Sequence, residues 1–278
     1  MKIKGSNGTY DIGDIIADNS DVRTRRCSNT AGRELMCQIA VDASKNAALA
    51  RNALVLTQLA EASDKVEAEY ARHQEEAGIP AVPLNYNIAF PELVDSFILL
   101  EQGARQINIL GFRNVDELSR VSPLVKLWKG DLRVDLRTSA WIMGKLLKTI
   151  AFAHNNGISV VDISGNNVLI EPDQHYVFVF NWARSIIHDD GAVPSRTIRD
   201  EIKRSAKLVI KALGDDLDRA CPNEVDLPYV RYLYHLATNG ESSAFKAHKT
   251  FYEVVDSLCE NPDSEWERGF YKFTTLPL

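Results

Sequence analysis

Residues 157–185 read GISVVDISGNNVLIEPDQHYVFVFNWARS, and this segment has the most informative pattern in the chain. Asp162 is followed five residues later by Asn167. Two apolar segments, NNVLIE and HYVFVFNW, flank a turn at Pro172–Gln174, and their all-apolar centres predict two strands buried on both faces. The second strand runs into Asn181-Trp182-Ala183. The stretch therefore predicts polar loop residues on both sides of a buried hairpin.

The sequence around this stretch predicts that strands and helices occupy different parts of the chain. Thr138–Asn155 is predicted to be a buried helix that stops at Asn155-Asn156-Gly157, and most of the chain after Thr197 is helical in pattern. Before residue 115 the pattern is one of strands, such as ELMCQIAV and RQINILGF, with one helix over residues 43–75 and a Pro-rich loop over Gly78–Pro91. Such segregation predicts the α+β class.

The order of these features resembles the protein-kinase family. There, a catalytic loop H-R-D-x-x-x-x-N is followed by two short strands and then by a metal loop, D-F-G. The likeness is to divergent bacterial or viral kinase-like proteins more than to eukaryotic kinases. It implies a bilobal protein-kinase-like fold, with a β-rich N-lobe over residues 1–113 and a mainly helical C-lobe over residues 114–278. It also implies that the helix IRDEIKRSAKLVIKALG begins with a buried acid, Asp200.

The resemblance places neutral residues where kinases bind the phosphates of ATP. Gln38 stands at the position of the strand lysine, and Asn52 stands at that of its glutamate partner on the following helix. Removing both charges together is physically sensible, because removing only one leaves a partly buried charge unpaired. The two amides can still hydrogen-bond to each other.

The glycine-rich loop of the family falls within Ile15–Val22, which reads IIADNSDV and has no glycine. Glycines let backbone amides approach a phosphate closely. Ala17 and Asn19 stand near the expected glycines, and three carboxylates that would repel a polyphosphate surround them: Asp14, Asp18 and Asp21. The stretch is expected to be a plain strand–turn–strand.

The metal loop has Asn181 in place of its aspartate, and Asn167 matches the second metal ligand. Mg²⁺ prefers hard, usually anionic oxygens, so two neutral amides form a weak site. Asp162 matches the catalytic base, whereas Val160-Val161 replaces the His-Arg pair before it.

These departures indicate a pseudokinase. Its fold is retained, its binding of ATP and Mg²⁺ is weak or absent, and no cofactor is expected. It would act as a regulatory, scaffolding or binding protein with a protein partner.

The alternative is an active atypical kinase of the Ser/Thr type, which would use ATP and Mg²⁺ with Asp162 as base. Arg23 or Arg25, which share one face of a predicted strand, would then supply the missing cation. A third reading uses the VRTRR segment as a nucleic-acid-binding strand.

The composition of the chain bears on which of these three functions is favoured. The chain has 278 residues, 45% of them apolar and 25% charged, which is typical of globular proteins. Its net charge of −6 disfavours nucleic-acid binding. The four cysteines lack zinc-site spacing, and no apolar stretch suits a signal peptide or a membrane span. A cytoplasmic protein is therefore expected.

Overall fold

The computed structural model describes residues 1–18, 20–115, 117–215 and 223–266. Asn19, Cys221 and the apolar tail at residues 270–278, which the sequence predicts to dock onto the body, lie outside the described residues. The chain divides into two units. The first comprises residues 1–118 and 180–185, and the second comprises residues 119–179 and the described residues from 186 onward.

An antiparallel six-stranded sheet forms most of the first unit, in the order β1-β2-β3-β4-β6-β5. The strands predicted before residue 115 are therefore confirmed. Their bounds are β1 Lys2–Lys4, β2 Thr9–Asp18, β3 Val22–Asn29, β4 Glu34–Ala40, β5 Glu92–Leu99 and β6 Arg105–Gly111.

One long helix, α1 (Asn46–Glu76), packs on β5 and β6. It follows a 3-10 turn over Ala43–Lys45, whose N-cap residue Asp42 accepts a hydrogen bond from the Ser44 amide at 2.8 Å. The helix predicted over residues 43–75 is thus confirmed to within a turn at its start. The Pro-rich stretch that follows it contains one 3-10 turn, Tyr86–Ile88.

An apolar cluster covers one face of the sheet in the first unit. It contains Cys27 and Cys37, and burial raises the pKa of Cys27 to about 12 and that of Cys37 further still. Both thiols are free and protonated at neutral pH, so they act here as small apolar side chains. The other buried members are Ile3, Tyr10, Ile12, Leu35, Ile39, Ile107 and Ile109.

Helices dominate the second unit, together with two small sheets in the orders β10-β9-β7 and β11-β8. No helix in the described parts of the chain is both long and apolar enough to cross a membrane. The helices are α2 Val125–Lys129, α3 Leu136–Asn155, α4 Ser195–Ala212, α5 Leu227–Asn239 and α6 Ala244–Glu260, and the strands are β7 Ser122–Pro123, β8 Ile158–Ser159, β9 Val168–Glu171, β10 Tyr176–Val179 and β11 Ile186–Ile187.

The buried hairpin predicted within residues 157–185 is present. Strand β9 pairs antiparallel with β10, with Val168 opposite Val179, and every residue of the two strands except Tyr176 is buried. Helix α3 precedes it and starts at Leu136, because Asp135 caps it by accepting a hydrogen bond from the Thr138 amide at 2.8 Å.

Helix α3 ends at Asn155, and Gly157, two residues further on, has a φ of +68°. A β-carbon at Gly157 would lie 2.9 Å from the Cα of Gly191, so the contact requires glycine as well as the backbone angle. Gly157 therefore has two roles: it ends the helix, and its missing side chain lets the backbone at Gly191 pack against it.

Candidate functional site

In the first unit, Asn52 of α1 donates a hydrogen bond from Nδ2 to Oε1 of Gln38 on β4 at 2.8 Å. The two residues are 0% and 1% exposed. The positions that match the lysine–glutamate pair of kinases thus hold two neutral amides that are fully buried and bonded to each other.

Asn52 also anchors the segment that matches the metal loop. Its Oδ1 accepts a hydrogen bond from the backbone amide of Trp182 at 2.7 Å. One residue earlier, the side-chain oxygen of Asn181 accepts a hydrogen bond from the amide of Ala183 at 2.9 Å, and Phe180 stacks on Phe112. The Asn181 amide is therefore engaged in a local turn.

Gln38 and Asn52 form a buried polar layer, and Asn108, which the sequence analysis did not identify, extends it. Asn108 of β6 lies opposite Gln38 in the sheet and donates a hydrogen bond to the carbonyl of Leu49 in α1 at 2.9 Å. Ser96 donates to the Asn108 side-chain oxygen at 2.9 Å. The sequence signal for Asn108 is the alternation in RQINILGF, which places Gln106 and Asn108 on one face of the strand.

The structure does not bring Arg23 and Arg25 to this layer. Residues directly opposite in an antiparallel pair share a face of the sheet, and Gln38 is opposite Thr24, which lies between the two arginines. Both arginines therefore lie on the other face from Gln38. Arg25 instead donates a hydrogen bond to the carbonyl of Gly13 at 3.0 Å.

The strand–turn–strand expected at Ile15–Val22 is formed by β2 and β3. Two of its carboxylates pair with nearby cations: Asp18 with Arg23 at 2.9 Å and Asp21 with Lys45 at 2.8 Å. The hydrogen bond and charge of Lys45 lower the pKa of the Asp21 carboxyl, and Asp21 raises that of the ammonium. Carboxylates, each paired with a cation, thus stand in the part of the chain where kinases offer glycine backbone amides to phosphate.

In the second unit, the loop between β8 and β9 brings Asp162 and Asn167 together. Asn167 is 4% exposed and donates a hydrogen bond from Nδ2 to the backbone carbonyl of Asp162 at 2.8 Å. Within the described residues, the Asp162 carboxylate makes no hydrogen bond or ion pair.

The same loop contains a strained turn at Val161. This residue has a φ of +63°, and the amide of Asp162 bonds to the carbonyl of Val160 at 2.8 Å across it. Such a turn is rare, and a positive φ is especially costly for a β-branched side chain. The surrounding structure must hold it in place.

Glu201 of α4 holds this turn. Its carboxylate accepts hydrogen bonds from the amides of Val161 at 2.8 Å and Val160 at 3.2 Å, and it lies 2.8 Å from Nε2 of His154. Arg204, one turn along the helix, donates to the carbonyl of Val161 at 2.6 Å.

The prediction that Asp200 is the buried acid of this helix is wrong. Glu201 is 0% exposed, whereas the Asp200 side chain is 44% exposed. The inner face of α4 repeats at helical spacing through Ser205, Val209 and Ala212, and residue 201 continues that spacing whereas residue 200 does not. Periodicity was the signal that would have found it.

Only residues 188–194 connect β11 to α4. Protein kinases carry an activation loop and an A-P-E motif in this part of the chain. This chain reads HDDGAVP there, with no A-P-E. Among the described residues, no group of three or more His, Cys, Asp or Glu side chains is placed to hold a metal ion.

A search of solved structures matches this chain to vaccinia related kinase 3 at 11% sequence identity, with a TM-score of 0.54. The match covers 95% of this chain and 92% of that one. No protein-family model matches the chain, and no curated protein does. At this identity the likeness concerns the fold. The chain therefore has an α+β, bilobal protein-kinase-like fold, with a β-sheet N-lobe and a helical C-lobe.

Proposed function

We propose that this protein is a pseudokinase, a kinase-like fold that works by binding a protein partner and has weak or no affinity for ATP and Mg²⁺. The observation that carries the proposal is the buried hydrogen bond between Gln38 and Asn52. Kinases use an ammonium at the first of these positions to neutralise phosphate charge. The proposal keeps, from the sequence, a cytoplasmic location and a likeness to bacterial or viral proteins.

The bonding of the two amides supports the loss of phosphate binding. Gln38 carries no charge, and its oxygen is already bonded to Asn52, whose own oxygen is bonded to the backbone of Trp182. Because Arg23 and Arg25 of β3 lie on the opposite face, neither of these two supplies the missing cation at position 38.

The donor chemistry does not fit a magnesium ion either. Asn167 and Asn181 are neutral, so they leave the charge of a dication uncompensated. The Asn181 oxygen, the atom that would bind the metal, accepts a hydrogen bond from the Ala183 amide. A role in presenting surfaces to a partner requires neither group.

A thermal-shift titration with ATP tests the proposal, run with Mg²⁺ and with EDTA. We expect no difference between the two conditions, because ligand binding stabilises a protein in proportion to ln(1 + [L]/Kd). An active kinase in the same plate is the positive control. A metal-dependent rise of several degrees at millimolar ATP would contradict the proposal.

The second candidate is an active atypical kinase. One observation favours it: the Asp162 carboxylate makes no hydrogen bond or ion pair among the described residues, and Asn167 fixes the loop that carries it. This candidate predicts transfer of labelled phosphate from ATP to protein, lost in Asp162→Asn. Equal, background-level transfer by both proteins would eliminate it.

A further inference from the structure

Helix α4 presents a row of cations on its exposed face. They recur every three or four residues, so they lie above one another along about 22 Å of helix. The acid among them, Asp200, pairs with Arg196 at 3.9 Å. The whole chain has a net charge of −6, so this row is a local concentration of positive charge on an acidic protein. Its members are Arg196, Arg199, Lys203, Lys207 and Lys211.

Helix α5 packs on α4, and Gly240, which follows the last residue of α5, lies beside Arg199 near the start of α4. A β-carbon at Gly240 would lie 2.7 Å from the carbonyl of Arg199. Helix α5 adds another exposed cation, Arg231, to this surface. Within the described residues, Arg199, Lys203, Lys207 and Arg231 make no ion pair.

A groove of about 910 Å³ lies between the two helices. Its lining includes the aliphatic side chains of Ile210, Leu227 and Val230, and Tyr234 beside them is 64% exposed. Lys207 and Arg231 also line it, together with one acid, Asp215, and the polar side chains of His235, Thr238 and Asn239. We call this feature the α4–α5 groove: a partly apolar lining with two cations, Lys207 and Arg231, that make no ion pair within the described residues.

We propose that the α4–α5 groove binds an acidic, amphipathic helical segment of a protein partner. Apolar side chains on one face of such a helix would cover Ile210, Val230 and Tyr234, and carboxylates on its flanks would meet Lys207 and Arg231. This inference goes beyond the pseudokinase proposal, since it holds whether or not the chain transfers phosphate.

The apolar lining favours a protein segment over a nucleic acid. Nucleic acids bind basic surfaces mainly through phosphate contacts, which an aliphatic lining cannot make. An exposed aromatic beside aliphatic side chains and positive charges is instead the composition of a protein-binding surface. Binding of nucleic acid is therefore an outcome that would overturn the proposal.

The test uses a fluorescein-labelled helical peptide of glutamate and leucine, about 16 residues long to match the row of cations along about 22 Å of α4. Fluorescence polarisation measures its affinity for the full chain at two salt concentrations. We expect saturable binding that weakens as salt rises. A glutamate–serine peptide of the same charge is expected to bind at least about tenfold more weakly, because it lacks the apolar face. Single-stranded DNA of equal charge is the third probe.

Variants locate the binding. Lys203→Ala, Lys207→Ala and Arg231→Ala combined are expected to weaken it about tenfold, since exposed charge pairs contribute a few tenths of a kcal/mol each or more. Tyr234→Ala tests the apolar contact separately. It is expected to weaken binding of the glutamate–leucine peptide and to leave binding of the glutamate–serine peptide unchanged.

The matched control combines Arg51→Ala, Lys65→Ala and Lys249→Ala, which remove the same charge from exposed helical positions elsewhere. We expect it to leave the affinity within twofold, and circular dichroism checks that both triple variants fold. Equal weakening by both triples, no binding by wild type, or tighter binding of DNA than of the peptide would each overturn the proposal.

Discussion

Glu201 accepts a hydrogen bond from the backbone amide of Val161 at 2.8 Å, and Val161 is the residue with a positive φ next to Asp162. The carboxylate is fully buried and lies on a helix 40 residues further along the chain. The conformation of the loop therefore depends on a contact that its own sequence does not supply.

Replacing Glu201 with alanine is expected to lower the free energy of unfolding by about 3–5 kcal/mol. The change removes the acceptor of two buried amides and the partner of His154, and unsatisfied buried groups are costly. Urea denaturation monitored by circular dichroism measures it.

The neighbouring acid is the control. Asp200→Ala removes an exposed carboxylate whose closest cation is 3.9 Å away, so it is expected to change stability by less than about 0.5 kcal/mol. Equal losses in the two variants would show that the carboxylate of residue 201 does not hold the loop.

The fold follows largely from the sequence because its main signals are local. All-apolar segments on both sides of a Pro-containing turn specify the β9–β10 hairpin, and Gly157 marks the end of α3 because only glycine suits both its φ and its contact with Gly191. Each signal is read from a few adjacent residues.

The groups that hold the site were harder to predict because they join distant parts of the chain. Asn108 reaches α1 from a strand that follows it, and Glu201 supports a loop that precedes it. Which of two adjacent acids faces inward depends on the helix phase. The register between β3 and β4 places Arg25 and Gln38 on opposite faces of the sheet.

The contact at the end of α3 makes a prediction of its own. Gly157→Ala is expected to destabilise the protein by roughly 2 kcal/mol or more, because the new β-carbon combines an unfavourable φ with a 2.9 Å approach to Gly191. Gly32 has a φ of +81°, and a β-carbon added there would meet no atom within 4 Å, so Gly32→Ala measures the backbone cost alone. Thermal unfolding of the two variants compares them, and an equal loss would remove the role of the Gly191 contact.

The buried amide pair predicts a coupling between positions 38 and 52. Gln38→Lys alone places an unpaired ammonium beside Asn52 and is expected to cost several kcal/mol. Adding Asn52→Glu supplies an opposite charge within reach, so the double variant is expected to be more stable than the sum of the single changes by about 1–3 kcal/mol.

Gln38→Met separates charge from hydrogen bonding in that experiment. It removes the acceptor for Asn52 without adding a charge, and it is expected to cost less than Gln38→Lys. Chemical denaturation of the wild type, Gln38→Lys, Asn52→Glu and the double variant completes the double-mutant cycle, and Gln38→Met is measured beside them. A coupling near zero would mean that the two side chains do not interact as the structure shows.

His248 of α6 predicts a pH dependence of stability. Burial lowers its pKa to about 4, with smaller contributions from the charges of Lys148 and Lys145, and its Nε2 atom has no hydrogen-bond partner among the described residues. The unfolded chain, with an ordinary histidine pKa of 6.5, therefore binds this proton more readily than the folded one. The stability from neutral His248 is fully present above pH 6.5 and is lost as the pH falls toward 4.

His248→Leu removes this titration. Between pH 7 and pH 4 the wild type is expected to lose roughly 3 kcal/mol more of its free energy of unfolding than the variant does, by the linkage between proton binding and folding. His235→Leu, at an exposed position of α5, is the control and should keep the wild-type dependence. Parallel stability curves for wild type and His248→Leu would mean that the folded protein protonates His248 as easily as the unfolded chain does, which burial beside two lysines opposes.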